Sequence, residues 1–176
     1  MGRRVANIPG HGYAEVQEKD AILVSEAATI PAITLWQPWA TWIAWGWKTI
    51  ETRGHNRFRG LVGKMIAIHA AKKFDPHAHQ MADGYIRQIP DGPIEQRLAY
   101  PPSYYPKGAV VCTAVVAAVG RLSNACSQRA LCPCDSTRFG LELVEITDFR
   151  PIAWRGSQGI WQIPISALLF QKPTQP

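Results

Sequence analysis

The sequence predicts an α+β fold: a small mixed β-barrel of five to six strands with two or three flanking helices. Three observations point to it. Gly108–Gly120 is nearly continuous small or β-branched apolar sequence, the composition of a central strand buried on both faces. Shorter alternating or β-branched segments stand on either side of it in the chain. Helical signals are too few for the strand–helix alternation of a doubly wound parallel sheet.

The elements follow in order. Residues 1–30 read as a peripheral, mobile arm, with turn composition at Asn7–Gly12 and a strand or short helix somewhere in Asp20–Ile30. Ala32–Trp36 is a strand. Pro38 is then expected at N1 of a short helix, where its fixed φ fits and its missing N–H does no harm. Trp39, Trp42 and Ile43 follow at helical spacing, and Gly46 is a C-terminal stop. This helix is apolar nearly all round, so it belongs against a sheet. Thr49–Arg53 alternates as a strand, with Thr49, Glu51 and Arg53 on one face and Lys48, Ile50 and Thr52 on the other. Leu61–Ala70 is the next strand, with Ile66 and Ile68 inward. Ala71–Ile89 has helical character. Pro90–Pro106, rich in Pro and Tyr, reads as a long surface connection. Arg138–Ile146 and Gln158–Ile165 complete the strands.

The chain has 176 residues, an apolar share of 47% and seven Trp, which excludes a disordered chain. The longest stretch without charge, Ala27–Trp47, is interrupted by Pro31, Pro38, Gln37 and three Thr, which argues against a membrane span. The first residues, MGRRVANIPGHGY, lack the apolar run of a signal peptide. The expectation is a soluble, intracellular (cytoplasmic) protein with no membrane partner.

Four cysteines fit that compartment. Cys112 lies in an apolar run and reads as a core residue. Cys126, Cys132 and Cys134 form C-x5-C-x-C, which lacks the C-x2–4-C pairs and fourth ligand of a zinc site. They read as incidental thiols on a surface loop. His77 and His79 in DPHAH read as a polar helix start. No metal and no cofactor is expected.

Charge is concentrated. The chain carries 19 Lys+Arg and 13 Asp+Glu, a net +6, and residues 48–73 alone hold seven basic side chains against one acidic, Glu51. Five of the seven Trp (Trp36, Trp39, Trp42, Trp45, Trp47) lie just before that stretch. Clustered Lys and Arg neutralise phosphates, which dominates nucleic-acid affinity. Neighbouring aromatics stack bases at ~1–3 kcal/mol each. The competing expectation for the five Trp is core packing, and for the arginines a solvated face.

The motifs in residues 33–72 are LWQPWA, then G-x-K-T-I-E-T-R, then F-R-G, then I-H-A-A-K. In that order they resemble the ASCH (activating signal cointegrator homology) family, whose fold is a PUA-like β-barrel. Pro106–Ala109 opening a valine-rich strand is similar to the family's next element, as is Trp154–Trp161 (WRGSQGIW). The likeness spans roughly residues 31–170, leaving an arm at 1–30 and a tail at 171–176. It implies a binder of nucleic acid or nucleosides, with a cleft between barrel and first helix. A shorter branch hydrolyses acylated cytidine, and a nuclease activity has been ascribed to a member.

The primary expectation is therefore a domain binding RNA, single-stranded DNA or a nucleotide. Lys48, Arg53, Arg57 and Arg59 would meet phosphate. Trp36 or Trp39 would meet a base, since the resemblance places the Gln37-Pro38-Trp39 turn in the cleft. His69 lies in the same segment, and Arg155 and Ser157 would form the opposite wall. The alternative is an amidohydrolase of N-acylated cytidine. A partly buried lysine beside other cations loses its proton more readily, so Lys48 would act as base or hold an oxyanion while Glu51 activates water. The hydrolytic branch resembles G-x-K-T-I-T-x-R, with threonine where Glu51 stands, and only Glu142 or Glu145 offer its further acid. A third reading is a protein-interaction module using an exposed Trp patch. Oligomeric state is not legible.

Overall fold

The β-branched runs form strands that join in one mixed six-stranded sheet. The computed structural model describes residues 4–8, 12–16, 28–89 and 100–168. The strands are β1 (Arg4–Ile8), β2 (Gly12–Val16), β3 (Thr29–Gln37), β4 (Ile50–Arg53), β5 (Met65–Phe74), β6 (Ala109–Arg121), β7 (Phe139–Ala153) and β8 (Ile160–Pro164). Among the described residues the helices are α1 (Trp39–Ala44), α2 (Ala78–Ile86) and α3 (Ser127–Ala130), with 3₁₀ turns at Arg57–Leu61, Asn124–Cys126 and Ile165–Ala167. β1 and β2 pair as a separate antiparallel hairpin. The rest of the expected arm, residues 90–99 of the Pro/Tyr-rich connection and the 171–176 tail lie outside the described residues.

The main sheet runs β4-β7-β6-β5-β3-β8. β3 and β5 pair in parallel and the other pairs are antiparallel. The expected α+β class is observed, but the barrel is not closed among the described residues. The reason lies in strand length. β8 pairs only with Thr29–Ile33 of β3, and β4 is four residues long. Neither is long enough to bridge the two edges, so Thr34–Trp36 lie opposite Arg53 of β4 across an open seam.

The core sits on both faces of the sheet. On one, Ile33, Leu35, Ile66, Ile68, Val116, Leu141 and Leu143 pack with Ile43 of α1. On the other, Ile30, Ala32, Ala67, Val110 and Ile163 pack with Trp154 and Trp161. β5 alternates between the two faces, as period-2 geometry requires. β6 is buried on both faces only from Ala109 to Val116 and is largely exposed beyond, which shortens the expected two-faced burial.

α1 fills its place for the expected reason: Ala40, Thr41, Trp42 and Ile43 are buried. Pro38 holds the N-cap position, one residue before the predicted N1. Gly46, at φ +75°, ends the helix, and its N–H donates to the Ile43 carbonyl. A residue with a Cβ adopts that φ at a cost, so glycine fits the stop. Ala71–Phe74, expected as helix, instead extends β5, where Phe74 pairs with Gln37; tertiary pairing overrides the propensity of Ala-Ala-Lys-Lys. Leu61 lies in the 3₁₀ turn, before β5 begins. Tyr105, from the expected surface connection, is buried against Phe74 and His79. Among the described residues no helix is long and apolar enough to cross a membrane.

Candidate functional site

The open seam holds a cleft of two lobes. The outer lobe, about 220 Å³, is lined by Thr34, Leu35, Trp36 and Arg53, and the inner, about 190 Å³, by Lys48, Thr52, Asp75 and Arg138, with Met81 and Cys132 beside them. Trp39 and Glu51 border both. Each lobe is smaller than the ~300 Å³ at which drug-sized sites begin, so each suits one ring or one anionic group.

Glu51 is the hinge of the charge arrangement. It is 6% exposed. Its Oε1 lies 3.3 Å from Arg53 Nε and its Oε2 lies 3.6 Å from Lys48 Nζ. The shared strand face expected for Glu51 and Arg53 is thus observed. Strand alternation predicts Lys48 on the opposite face, but β4 starts only at Ile50, so the alternation does not reach it. Lys48 is 2% exposed, and its Nζ donates to the carbonyls of Ile50 and Ala130, both at 2.7 Å. Two carbonyls take two of the ammonium's three protons, and the Glu51 carboxylate adds an ion pair. The ammonium also lies 5.2 Å over the Trp39 ring. Lys48 therefore braces the wall of the inner lobe and holds Glu51 in place.

Arg53 is differently placed. Its guanidinium lies over Phe58 at 5.3 Å. Its Nη2 reaches the Thr34 carbonyl only at 3.5 Å, and its buried Nε has no hydrogen-bonding acceptor. A guanidinium carries five donors, so most of this one's capacity is unfilled in the outer lobe.

The tryptophans divide. Trp36 is 49% exposed, with Lys73 Nζ 4.9 Å over its ring. Trp39 is half-buried and donates from Nε1 to Asp75 Oδ2 at 3.0 Å. Trp42 is fully buried and meets Trp39 edge-on at 5.0 Å. Trp45 and Trp47 pack around the cluster of Trp42, Ala82, Ile86 and Leu131. Two of the five line the cleft; core packing accounts for the other three, and no exposed Trp patch forms among the described residues.

Other predicted site residues lie apart. Gln37 is wholly buried. Its Nε2 donates to Thr41 Oγ1 and the Pro106 carbonyl, and its Oε1 accepts from Thr41 N; it braces the β3–α1 turn instead of lining the cleft. His69 is 3% exposed, with Nε2 bonded to the Trp154 carbonyl at 3.0 Å and its ring against Gly156. Burial lowers its pKa, opposed by that backbone bond. Its place is under the β7–β8 loop. Arg155 and Ser157, in the same loop, line neither lobe. Arg57 and Arg59 are exposed on the 3₁₀ turn, whose Phe58 anchors it to Arg53. Glu142 pairs with Arg129 at 2.7 Å, and neither it nor Glu145 lines the cleft. Cys132 and Cys134 are buried beside Ile50 and Leu122, so they are not surface-loop thiols. Burial pushes the Cys134 thiol up to about 11. Among the described residues no three His, Cys, Asp or Glu side chains form a metal-holding group.

Three crystal structures of ASCH from Zymomonas mobilis are similar to this chain. The first matches at TM-score 0.49 and 15% identity, over 78% of this chain and 90% of that one. A serine-to-alanine mutant matches at 0.47 and 16%, over 78% and 90%. A tyrosine-to-phenylalanine mutant matches at 0.45 and 15%, over 78% and 92%. No protein-family model and no curated protein matches the chain.

Three cleft residues carried no signal of their own in the sequence. Arg138 arrives because β7 pairs with β4, and its Nη2 donates to Thr52 Oγ1 at 2.8 Å. Asp75 arrives where β5 turns toward α2. Thr34 offers its carbonyl across the seam to Arg53. Only the strand register identifies them, and register depends on pairings far apart in the chain.

Proposed function

We propose that this chain is an ASCH-type, PUA-like domain that binds single-stranded nucleic acid, or a nucleotide, in the open seam. The observation that carries the reading is the outer lobe: an exposed Trp36 on one wall and an under-satisfied Arg53 on the other. A base stacks on an aromatic face while its phosphate meets a guanidinium fork. Arg57 and Arg59, on the adjacent turn, extend the cationic track for further phosphates. The ordered motifs of residues 33–72 support the same class. The proposed roles of Lys48 and Gln37 change from ligand contact to support, because both are buried and internally bonded.

Titration calorimetry with short single-stranded RNA and DNA tests this. Binding should weaken as salt rises, and Trp36→Ala should cost one stacked base, ~1–3 kcal/mol. Trp36 is half-exposed, so the variant should fold. Salt-independent binding, or none to either polymer, contradicts the reading.

A second reading, hydrolysis of acylated cytidine, draws on the place of Lys48 and Glu51 at the junction of the lobes. It is the weaker one. A base needs a free lone pair aimed at substrate, and Lys48 Nζ is turned to two carbonyls. Incubation with an acylated cytidine, followed by ultraviolet absorbance, separates the readings.

A further inference from the structure

The inner lobe contains two charges with hydrogen-bonding capacity left over, Asp75 and Arg138, although Arg138 also acts on Asp135, whose carboxyl is held low by Thr137 and, less, by the Arg138 charge. Among the described residues neither Asp75 nor Arg138 makes an ion pair. Asp75 accepts from Trp39 Nε1 at its Oδ2 and from His77 N at its Oδ1, both at 3.0 Å. A carboxylate has about four acceptor sites, so two remain. Arg138 donates one side-chain bond, to Thr52, which leaves most of its fork. The two charges come from separate walls: Arg138 with Thr52 from the β4–β7 pair, Asp75 from the end of β5. Trp39 borders both this lobe and the outer one.

We propose that the inner lobe is a base-reading subsite selective for guanine, with Arg138 and Asp75 as its specificity-determining residues. This rests on the nucleotide-binding reading and extends it. The chemistry selects the base. The ligand must offer acceptors to a guanidinium on one edge and adjacent donors to a carboxylate on another. Guanine does so: N7 and O6 accept on one edge, the pairing that Arg makes most often, while N1–H and the N2 amino group donate on the next. Adenine and cytosine have an acceptor between their donor and the next edge, which would face the Asp75 carboxylate. Uracil has one ring donor flanked by two carbonyls. The lobe takes a single ring system and is bordered by the half-buried Trp39, whose ring already has the Lys48 ammonium over it. A nucleotide with its base in the inner lobe would turn its phosphate toward Arg53, so the two lobes serve one strand.

The test is an affinity panel of the four ribonucleoside 5′-monophosphates and four short single-stranded RNAs differing in one central base, against the full chain. Guanine should be favoured by on the order of ten-fold or more, the discrimination of one good bidentate contact. Asp75→Asn keeps one acceptor, for Trp39 Nε1, and replaces the oxygen that accepts from His77 N by an amide donor. It should remove the preference by lowering guanine affinity while raising that of adenine and cytosine, a change of opposite sign that misfolding would not give. Arg138→Gln should reduce guanine affinity selectively as well. Equal binding of all four bases, still weakened by Trp36→Ala, overturns guanine selectivity and leaves nucleic-acid binding standing. Absence of any binding overturns both.

Discussion

Two parts of the same basic stretch meet opposite fates. Lys48, with Glu51, is buried and tied to the fold; Arg57 and Arg59, a few residues on, stand in solvent on a 3₁₀ turn. Both contribute to the positive charge of residues 48–73. Only the second pair has charge free for a partner, because the ammonium of Lys48 is already shared among two carbonyls and a carboxylate. Arg53 lies between the extremes, partnered by Glu51 yet with donors left over. Charge counted along a sequence is thus not charge available at a surface. Burial decides which part supports the site and which part reaches the ligand.

The comparison can be broken most decisively at Lys48. Lys48→Met leaves Glu51 short of a partner and two buried carbonyls without a donor. It should cost roughly 3–5 kcal/mol, the range for breaking a buried pair, read by chemical denaturation. A cost under ~1 kcal/mol would mean that Lys48 is not a brace. Next in size is Gly156→Ala, beside the segment's buried histidine, His69. An added Cβ would overlap the His69 ring, so overpacking should cost about 1–3 kcal/mol, again by denaturation. A neutral result would show that the β7–β8 loop moves freely over His69.

The same burial sets a pH dependence. His69 has a folded pKa below its ordinary 6.5. Below that value the unfolded chain binds a proton that the folded chain resists, so stability should fall as pH drops below about 6.5 and be fully present above it. His79, also lowered by burial, has the same sign. Unfolding curves between pH 8 and 5 should show this slope, and His69→Gln should flatten it; an unchanged slope would place His69 in water. The smallest effect on stability is expected at the exposed end. Arg57→Ala with Arg59→Ala should shift stability by no more than ~0.5 kcal/mol. Yet it should reduce the salt slope of binding by about 0.7 for each phosphate that the variant no longer neutralises.

Much of this was legible in the sequence. Pro38 and Gly46 bracket α1, the β-branched run marks β6, and parity puts Glu51 beside Arg53. All are local effects of period and turn chemistry. What was not legible depends on distant partners. Lys48 is buried because Ala130, 82 residues on, offers its carbonyl. Arg138 joins the cleft through the β4–β7 register, and Tyr105 is buried by packing on α2 and β5. The open seam itself follows from how few residues of β3 are covered by β8, a length that no periodicity announces.

The most direct test of the central claim is to map where a single strand lies. A short single-stranded RNA carrying photoreactive 4-thiouridine is cross-linked to the chain and the attached peptides are identified by mass spectrometry. Cross-links should fall on the segment carrying Trp36 and Trp39 and on the Arg53–Arg59 turn, and those to the turn should fade as salt rises. Cross-links confined to the exposed far ends of β6 and β7, unchanged by salt, would contradict binding in the seam.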